Sequence, residues 1–113
     1  MISTLEKLLG TPRDGALLRY SLGLEYGKAG RHADAVAQLR EALTRDPLYS
    51  AAWKALGKTL SDMNSLDEAL TAYQQGIEAA KKKGDRQAEK EMTVFARRLI
   101  RMIEERRLRP ETG

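Results

Sequence analysis

The sequence predicts an all-α protein in which antiparallel helix pairs stack side by side, with a short helix before them and a capping helix after them. The first observation is a repeat of 34 residues, which brings Leu22-Gly23 onto Leu56-Gly57. The second is a series of helix-start and helix-stop residues separated by short loops, which favours antiparallel neighbours. No segment shows the alternation of apolar and polar residues that is typical of strands.

The first two predicted helices begin at capping signals. Ser3 and Glu6 have the spacing of a capping box, which predicts a short helix over residues 3–9. The next helix is predicted over residues 12–29, because its first residue is a proline, which is favoured at the first helical position. Gly30 ends this helix, since glycine readily adopts the left-handed conformation.

A proline separates the next two predicted helices. The first of them covers residues 32–45, and Pro47 stops it because the residue before a proline disfavours helical backbone angles. The same proline is suited to begin the following helix, which is predicted over residues 47–63.

Capping residues also define the last two helices. Ser65 and Glu68 have capping-box spacing and predict a helix over residues 66–83, which Gly84 ends. Asp85 then caps a final helix that runs to about residue 107. The predicted organisation is a single domain over residues 1–109, with repeats at 16–49 and 50–83, a capping helix at 85–107 and a disordered tail at 110–113.

Composition excludes several classes of function. The chain has no cysteine and its one histidine is His32, which excludes thiolate and histidine-cluster metal sites and leaves little for acid–base catalysis. Neither a glycine-rich phosphate loop nor a nucleophile motif is present. We therefore predict a non-enzymatic protein without cofactor or metal. A cytoplasmic protein without membrane association is expected, since no apolar run approaches about 20 residues and the start lacks a signal-peptide layout.

The repeated positions are those of the tetratricopeptide pattern, and the chain resembles that family of helical-repeat proteins over two units. The matching structural positions are Leu22, Gly23, Tyr26, Ala35, Leu39 and Pro47 in the first unit and Trp53, Leu56, Gly57, Ala69 and Tyr73 in the second. Departures include Arg19, which stands where the second unit has Trp53, and Asn64, which replaces a glycine between helices. The resemblance implies two stacked helix pairs.

The core is predicted from residue size and from the small number of repeats. Gly23 and Gly57 let helix backbones approach closely, while bulky residues such as Leu39 and Tyr73 fill the remaining space. Two repeats are fewer than the three usually needed for a stable stack. The outer helices are therefore expected to complete the core, through Leu5, Leu8 and Leu9 of the first and Ala88, Met92, Phe95, Leu99 and Ile103 of the last.

The resemblance also implies a binding site, because the first helix of each tetratricopeptide pair lines a concave groove that typically holds peptides. By position, the groove would present Leu17, Tyr20, Ser21, Leu24 and Lys28 from the first unit and Ala51, Lys54, Ala55, Lys58 and Asp62 from the second. We therefore predict an adaptor for a protein or peptide ligand that carries an acidic group. The alternative for Lys54 and Lys58 is that they are simply solvated.

Basic charge is concentrated in the last third of the chain. Residues 81–113 carry eleven Lys and Arg against six Asp and Glu, whereas residues 1–80 carry nine against ten. We expect a solvated face on which these charges pair along the last helix. Electrostatic binding of nucleic acid or another anionic surface is the alternative function, since phosphate contacts need only positive charge.

Three apolar residues, Ile100, Met102 and Leu108, lie off the main apolar face of the last helix. They predict either packing beneath the preceding helix or a modest surface for self-association. The expected oligomeric state is a monomer or a weak homodimer.

Overall fold

The structure, a computed structural model, describes residues 1–109, so the tail predicted at 110–113 lies outside the described residues. The helices are α1 (Ile2–Glu6), α2 (Ala16–Lys28), α3 (His32–Arg45), α4 (Ser50–Asp62), α5 (Leu66–Lys83) and α6 (Arg86–Leu108). Each helix packs on the next along the chain through a short connection, as in antiparallel pairs. The predicted all-α helix-pair stack is confirmed. None of the described helices is long and apolar enough to cross a membrane.

α2 begins at Ala16, so the prediction that it begins at Pro12 is wrong. The Asp14 carboxylate accepts a hydrogen bond from the backbone N–H of Gly10 at 2.9 Å, and it forms an ion pair with Arg19 at 2.9 Å. These bonds fold the segment before the helix into a turn. Asp14 therefore precedes the helix instead of lying within its first turn.

α4 begins at Ser50, so the prediction that it begins at Pro47 is also wrong. The backbone N–H of Tyr49 donates to the Asp46 carbonyl at 3.1 Å, which closes a turn around the proline. The Pro47 carbonyl in turn accepts a hydrogen bond from the indole N–H of Trp53 at 2.8 Å. The proline therefore begins a turn that the first part of α4 holds in place.

Residues with left-handed backbone angles follow the ends of three of the helices. Gly30 and Gly84 have φ angles of 76° and 73°, which confirms both predicted stops. Asn64 has a φ of 63°, although it replaces the glycine of the repeat. Asparagine tolerates this conformation better than most residues, because its short polar side chain can bond locally.

Capping differs from the prediction at the serines. The Asp85 carboxylate accepts from the backbone N–H of Ala88 at 3.1 Å, as predicted. Ser65 precedes α5 with backbone angles of −90° and 70°, close to those of Asp85, yet its shorter hydroxyl makes no capping hydrogen bond. Ser3 lies within α1. The two predicted serine capping boxes are therefore wrong.

The core consists of two clusters of buried residues. The smaller cluster joins Leu18, Leu22, Tyr26 and Ala35, with Ile2, Leu5, Leu8 and Leu9 packed against it. The larger cluster extends from Leu39 in α3 to Leu99 in α6, and Met92 at its centre is fully buried. The prediction that the first and last helices complete the core is confirmed. Of the three apolar residues off the main face, Met102 packs against the core, whereas Ile100 and Leu108 are exposed.

Three glycines lie where helix backbones approach most closely. A Cβ at Gly23 would lie 2.7 Å from Leu39, and one at Gly57 would lie 2.6 Å from the Tyr73 ring. A Cβ at Gly76 would lie 2.5 Å from the sulfur of Met92. The first two close approaches lie within the repeats, while Gly76 approaches both Met92 of α6 and, at 2.7 Å, the Cβ of Trp53 in α4.

Candidate binding groove

A groove of about 650 Å³ opens between α2, α4 and α6. The residues that line it are Tyr20, Gly23, Leu24, Gly27 and Lys28 of α2, His32 of α3, Ala51, Lys54, Ala55, Lys58, Thr59, Ser61 and Asp62 of α4, Tyr73 of α5, and Phe95, Arg98, Leu99 and Met102 of α6. Its volume is typical of ligand-binding clefts, which occupy about 300–1,000 Å³.

The structure brings together most of the residues predicted to face this groove. They are Tyr20, Leu24 and Lys28 of α2 and Ala51, Lys54, Ala55, Lys58 and Asp62 of α4. Leu17 and Ser21 are not among the residues that line it. Leu17 lies on the same side of α2 as Leu24 but two turns nearer the start of the helix, and it is 69% exposed.

Aromatic side chains form part of the apolar lining. The Tyr20 ring packs against Tyr49 with ring centroids 5.0 Å apart, and the Tyr73 ring packs against Phe95 at 5.5 Å. Burial raises the pKa of Tyr73 to about 12, and the nearby charge of Asp62 acts in the same direction. The Tyr73 phenol is therefore a protonated group at neutral pH.

Lys54 and Lys58 each have an acidic partner and stay partly exposed to solvent. The Lys58 ammonium lies 3.0 Å from Asp62, and the Lys54 ammonium lies 3.4 Å from Glu91 of α6. Both pairs are partly exposed, so each contributes little to stability and leaves its lysine available to another carboxylate.

Positive charge exceeds negative charge along the groove. Lys28, Lys54, Lys58 and Arg98 line it, against Asp62 as the acidic residue of the lining. The Arg98 guanidinium carbon lies 6.0 Å from the centroid of the Phe95 ring, and within residues 1–109 it has no carboxylate at ion-pair distance. The groove thus combines apolar walls with cations at its edges.

The wall contributed by α6 was missed from the sequence. Phe95 and Leu99 were assigned to the core and Met102 to a position off the main face, while Arg98 was counted only as part of the basic tail. Phe95, Arg98 and Met102 follow one another at helical spacing beside the buried row of Met92 and Leu99. This second row of residues is the sequence signal from which the α6 wall of the groove could have been predicted.

His32 is a further groove residue that was not predicted from the sequence to lie there. It is the first residue of α3 and lines the groove next to Lys28. Its Nδ1 atom is buried and has no hydrogen-bond partner among the described residues. The imidazole therefore serves here as part of the wall.

Comparisons with known proteins point to one family. A family model described as tetratricopeptide repeat matches residues 20–85. A TPR repeat-containing protein of Pseudomonas aeruginosa is 48% identical over 101 residues, which cover 89% of this chain and 96% of that protein. The solution structure of a Bordetella parapertussis protein is similar at 42% identity, with a TM-score of 0.78 over 90% of this chain and 89% of that one. The Sgt2 TPR domain of Aspergillus fumigatus is 28% identical, with a TM-score of 0.79 over 99% of this chain and 73% of that domain.

Proposed function

Because this chain belongs to the tetratricopeptide repeat (TPR) family, we propose that it is a non-catalytic adaptor that binds a protein or peptide in the groove between α2, α4 and α6. The observation that carries this proposal is the composition of the groove, whose walls are apolar and whose edges carry an excess of cations. Fold alone does not determine function, so the argument depends on these side chains.

The apolar walls favour a ligand that buries apolar side chains. Tyr20 and Leu24 lie on the α2 side, and Phe95 and Met102 lie on the α6 side. Leu24 is 38% exposed, so a ligand at this wall would remove apolar surface from water. Aromatic residues and methionine are also enriched at the centres of protein interfaces.

The charges favour a ligand that carries an acidic group. A ligand carboxylate can replace Asp62 at Lys58 or can contact Arg98 directly. Charge complementarity of this kind raises the association rate and selects against basic ligands. The proposed ligand is therefore a peptide segment with apolar side chains and at least one carboxylate.

The proposal is tested with a displayed library of random peptides of about 12 residues, a length that suits recognition by a groove. Affinities of the selected peptides are then measured for the parent and for Lys54→Glu/Arg98→Glu, which reverses two groove charges. We expect the groove variant to bind at least roughly tenfold more weakly, a loss of about 1.4 kcal/mol.

The matched control is Lys7→Glu/Arg13→Glu, which makes the same charge change at two exposed residues that lie outside the groove. It should retain the parent affinity. If selected peptides bind both variants equally, the groove is not the binding site. If no peptide with an acidic residue is enriched, the proposed acidic ligand is wrong.

A further inference from the structure

The outer face of α6 carries a row of four exposed cations, Arg86, Lys90, Arg97 and Arg101, called here the basic row. Successive spacings of four, seven and four residues place the four side chains within an arc of about 60° on a helix with 3.6 residues per turn. This arc lies opposite the buried face that contains Met92. The row is about 22 Å long, since a helix rises about 1.5 Å per residue.

The charges of the basic row are not paired along the helix, so the expectation of a salt-bridged face is wrong. Of the ion pairs within residues 1–109, none includes a residue of the row. Instead Arg86 lies one turn from Lys90, and Arg97 lies one turn from Arg101. Like charges at this spacing repel one another and destabilise a helix.

Two of the three acidic residues near the start of α6 have partners away from the basic row. Asp85 caps the helix and accepts a hydrogen bond from the Ser50 hydroxyl at 3.0 Å. Glu91 pairs with Lys54 of α4 on the groove side. Glu89 flanks the start of the row, and Glu104 lies on the same face beyond its far end. The stretch between them presents positive charge to solvent.

Further cations extend this charge at the start of α6. Lys81, Lys82 and Lys83 end α5 directly before the Gly84 turn, and all three are exposed. Lys81 lies 3.8 Å from Glu78, and within the described part of the chain the other two have no such partner. Residues 81–109 carry eleven Lys and Arg against five Asp and Glu, which gives a net charge of +6.

We propose that the basic row binds the phosphodiester backbone of a nucleic acid. Phosphate contacts need regularly placed positive charge, and three of the four residues are arginines, whose planar guanidinium groups match phosphate oxygens. The row offers neither aromatic side chains for stacking nor amides for base edges. The binding is therefore independent of base sequence.

A lipid bilayer fits this face less well. Helices that bind at a membrane surface insert an apolar face, whereas the apolar face of α6 is buried in the core of the protein. The exposed apolar residues on the outer side of α6 are Val94 and Ile100, which flank the row on opposite sides, and Leu108, beyond its end. Three separated side chains do not form a continuous apolar stripe.

This inference goes beyond the adaptor function and does not depend on it. Arg98 and Met102 of α6 line the groove, while the basic row faces away from the core on the other side of the same helix. A peptide and a nucleic acid can therefore be bound at the same time.

The proposal is tested by fluorescence anisotropy with a labelled single-stranded RNA and a labelled duplex DNA, each titrated over a range of salt concentrations. Four phosphate contacts predict slopes of log affinity against log salt of about −3 for the single strand and about −3.6 for the duplex. Affinity should fall roughly 50- to 150-fold between about 50 and 200 mM salt.

The decisive comparison is between two variants that each lose two positive charges. Arg97→Gln/Arg101→Gln should roughly halve the slope, because two of the four contacts are lost. Lys7→Gln/Arg13→Gln alters two exposed cations outside the row and should leave the slope unchanged. The row variant should still bind groove peptides, so failure of this proposal is distinguishable from failure of the adaptor function.

Three results would overturn the proposal. The first is the absence of binding to either nucleic acid at low salt. The second is an equal effect of both double variants, which would show that only net charge matters. The third is binding of the parent, but not of the row variant, to vesicles containing anionic phosphatidylserine when neither nucleic acid is bound.

Discussion

Gly57 and Gly27 show how the surroundings of a single residue determine what it contributes to stability. A Cβ at Gly57 would lie 2.6 Å from the Tyr73 ring, which is itself buried in the larger cluster. Gly27 lies in the last turn of α2, and a Cβ there would meet nothing within 4 Å. One glycine permits close packing, whereas the other only lowers the helix propensity of its segment.

Replacing these two glycines by alanine should change stability in opposite directions. Gly57→Ala should lower the free energy of unfolding by about 1–3 kcal/mol, because the new methyl group overpacks the contact with Tyr73. Gly27→Ala should raise it by about 0.5 kcal/mol through helix propensity. Urea denaturation measures both. A Gly57→Ala protein as stable as the parent would contradict the close helix approach described here.

The repeat predicts two of the three close-packed glycines from sequence and does not predict the third. Gly23 and Gly57 occupy the same repeat position, so the 34-residue shift was sufficient to find them. Gly76 stands where the first unit has Ala42, so the repeat does not indicate that glycine is needed there. A Cβ at Gly76 would meet the Cβ of Trp53 at 2.7 Å as well as the sulfur of Met92 at 2.5 Å, and the contact with Met92 comes from α6, which lies outside the repeat.

At the scale of helices and their connections, the two repeats hold the start of their first helix by different means. In the second repeat the Trp53 indole binds the Pro47 carbonyl. In the first repeat, Arg19 stands at the tryptophan position, and its guanidinium forms two hydrogen bonds of 2.9 Å with Asp14. Arg45 at the end of α3 lies 3.6 Å from the same carboxylate. An ion pair therefore takes the place of an aromatic ring.

The Asp14 contacts predict a specific pH dependence of stability. The hydrogen bond from Arg19, followed by that from the Gly10 N–H, holds the pKa of the Asp14 carboxyl well below its usual value of 3.8. The folded state therefore prefers the ionised carboxylate. Its stabilising contribution is complete above about pH 5 and is lost as the pH falls below about 4 toward the pKa of the folded state.

Asp14→Asn should therefore be less stable than the parent at neutral pH, and the difference should narrow in acid. Urea denaturation midpoints at pH 7 and pH 3 measure this change. Asp34→Asn provides the control, since the Asp34 pair with Arg31 is exposed and should contribute little at either pH. A difference between Asp14→Asn and the parent that is the same at both pH values would contradict the assignment.

The sequence predicts which segments are helical better than it predicts the residue at which each helix begins. Pro12 and Pro47 were assigned to first helical turns, but proline is equally suited to a β-turn, and local sequence does not separate the two. In the structure, side chains of each helix stabilise the turn that precedes it. Arg19 binds Asp14 and Trp53 binds the Pro47 carbonyl, and these contacts form only once the helix and the preceding segment have folded together.

At the scale of the whole molecule, α3 joins the two core clusters. Ala35 belongs to the smaller cluster, while Leu39, one turn later, belongs to the larger. The Leu39 side chain also lies at the place where α2 approaches α3 most closely, against Gly23. Loss of α3 would therefore expose apolar surface in both clusters.

Thermal unfolding should consequently be a single cooperative transition. Far-UV circular dichroism reports all helices, and Trp53, the one tryptophan of the chain, reports the second repeat through its fluorescence. We expect the two transitions to coincide within error, as in a two-state protein. If Trp53 fluorescence changed at a clearly different temperature, the clusters would be separate folding units.

The groove could be predicted only in part, because the prediction followed the repeat. Lys54 and Lys58 line it, at positions that follow from aligning the second unit with the first, while their use in binding stays a prediction. Leu17 does not line it, although it shares a side of α2 with Leu24, because the repeat predicts which side of the helix faces the groove but not how far along the helix the groove extends. The α6 wall has no counterpart in the 34-residue pattern, so only the folded chain reveals it.

The close contact between Gly76 and Met92 also determines how this scaffold could be elongated. Because α6 covers the side of α5 that an additional helix pair would use, a unit added after α6 could not continue the stack in register. A longer array would require new units between α5 and α6, with a glycine kept at the Gly76 position of the last one. α6 therefore acts as a terminator that can be moved outward, and the length of the groove becomes adjustable.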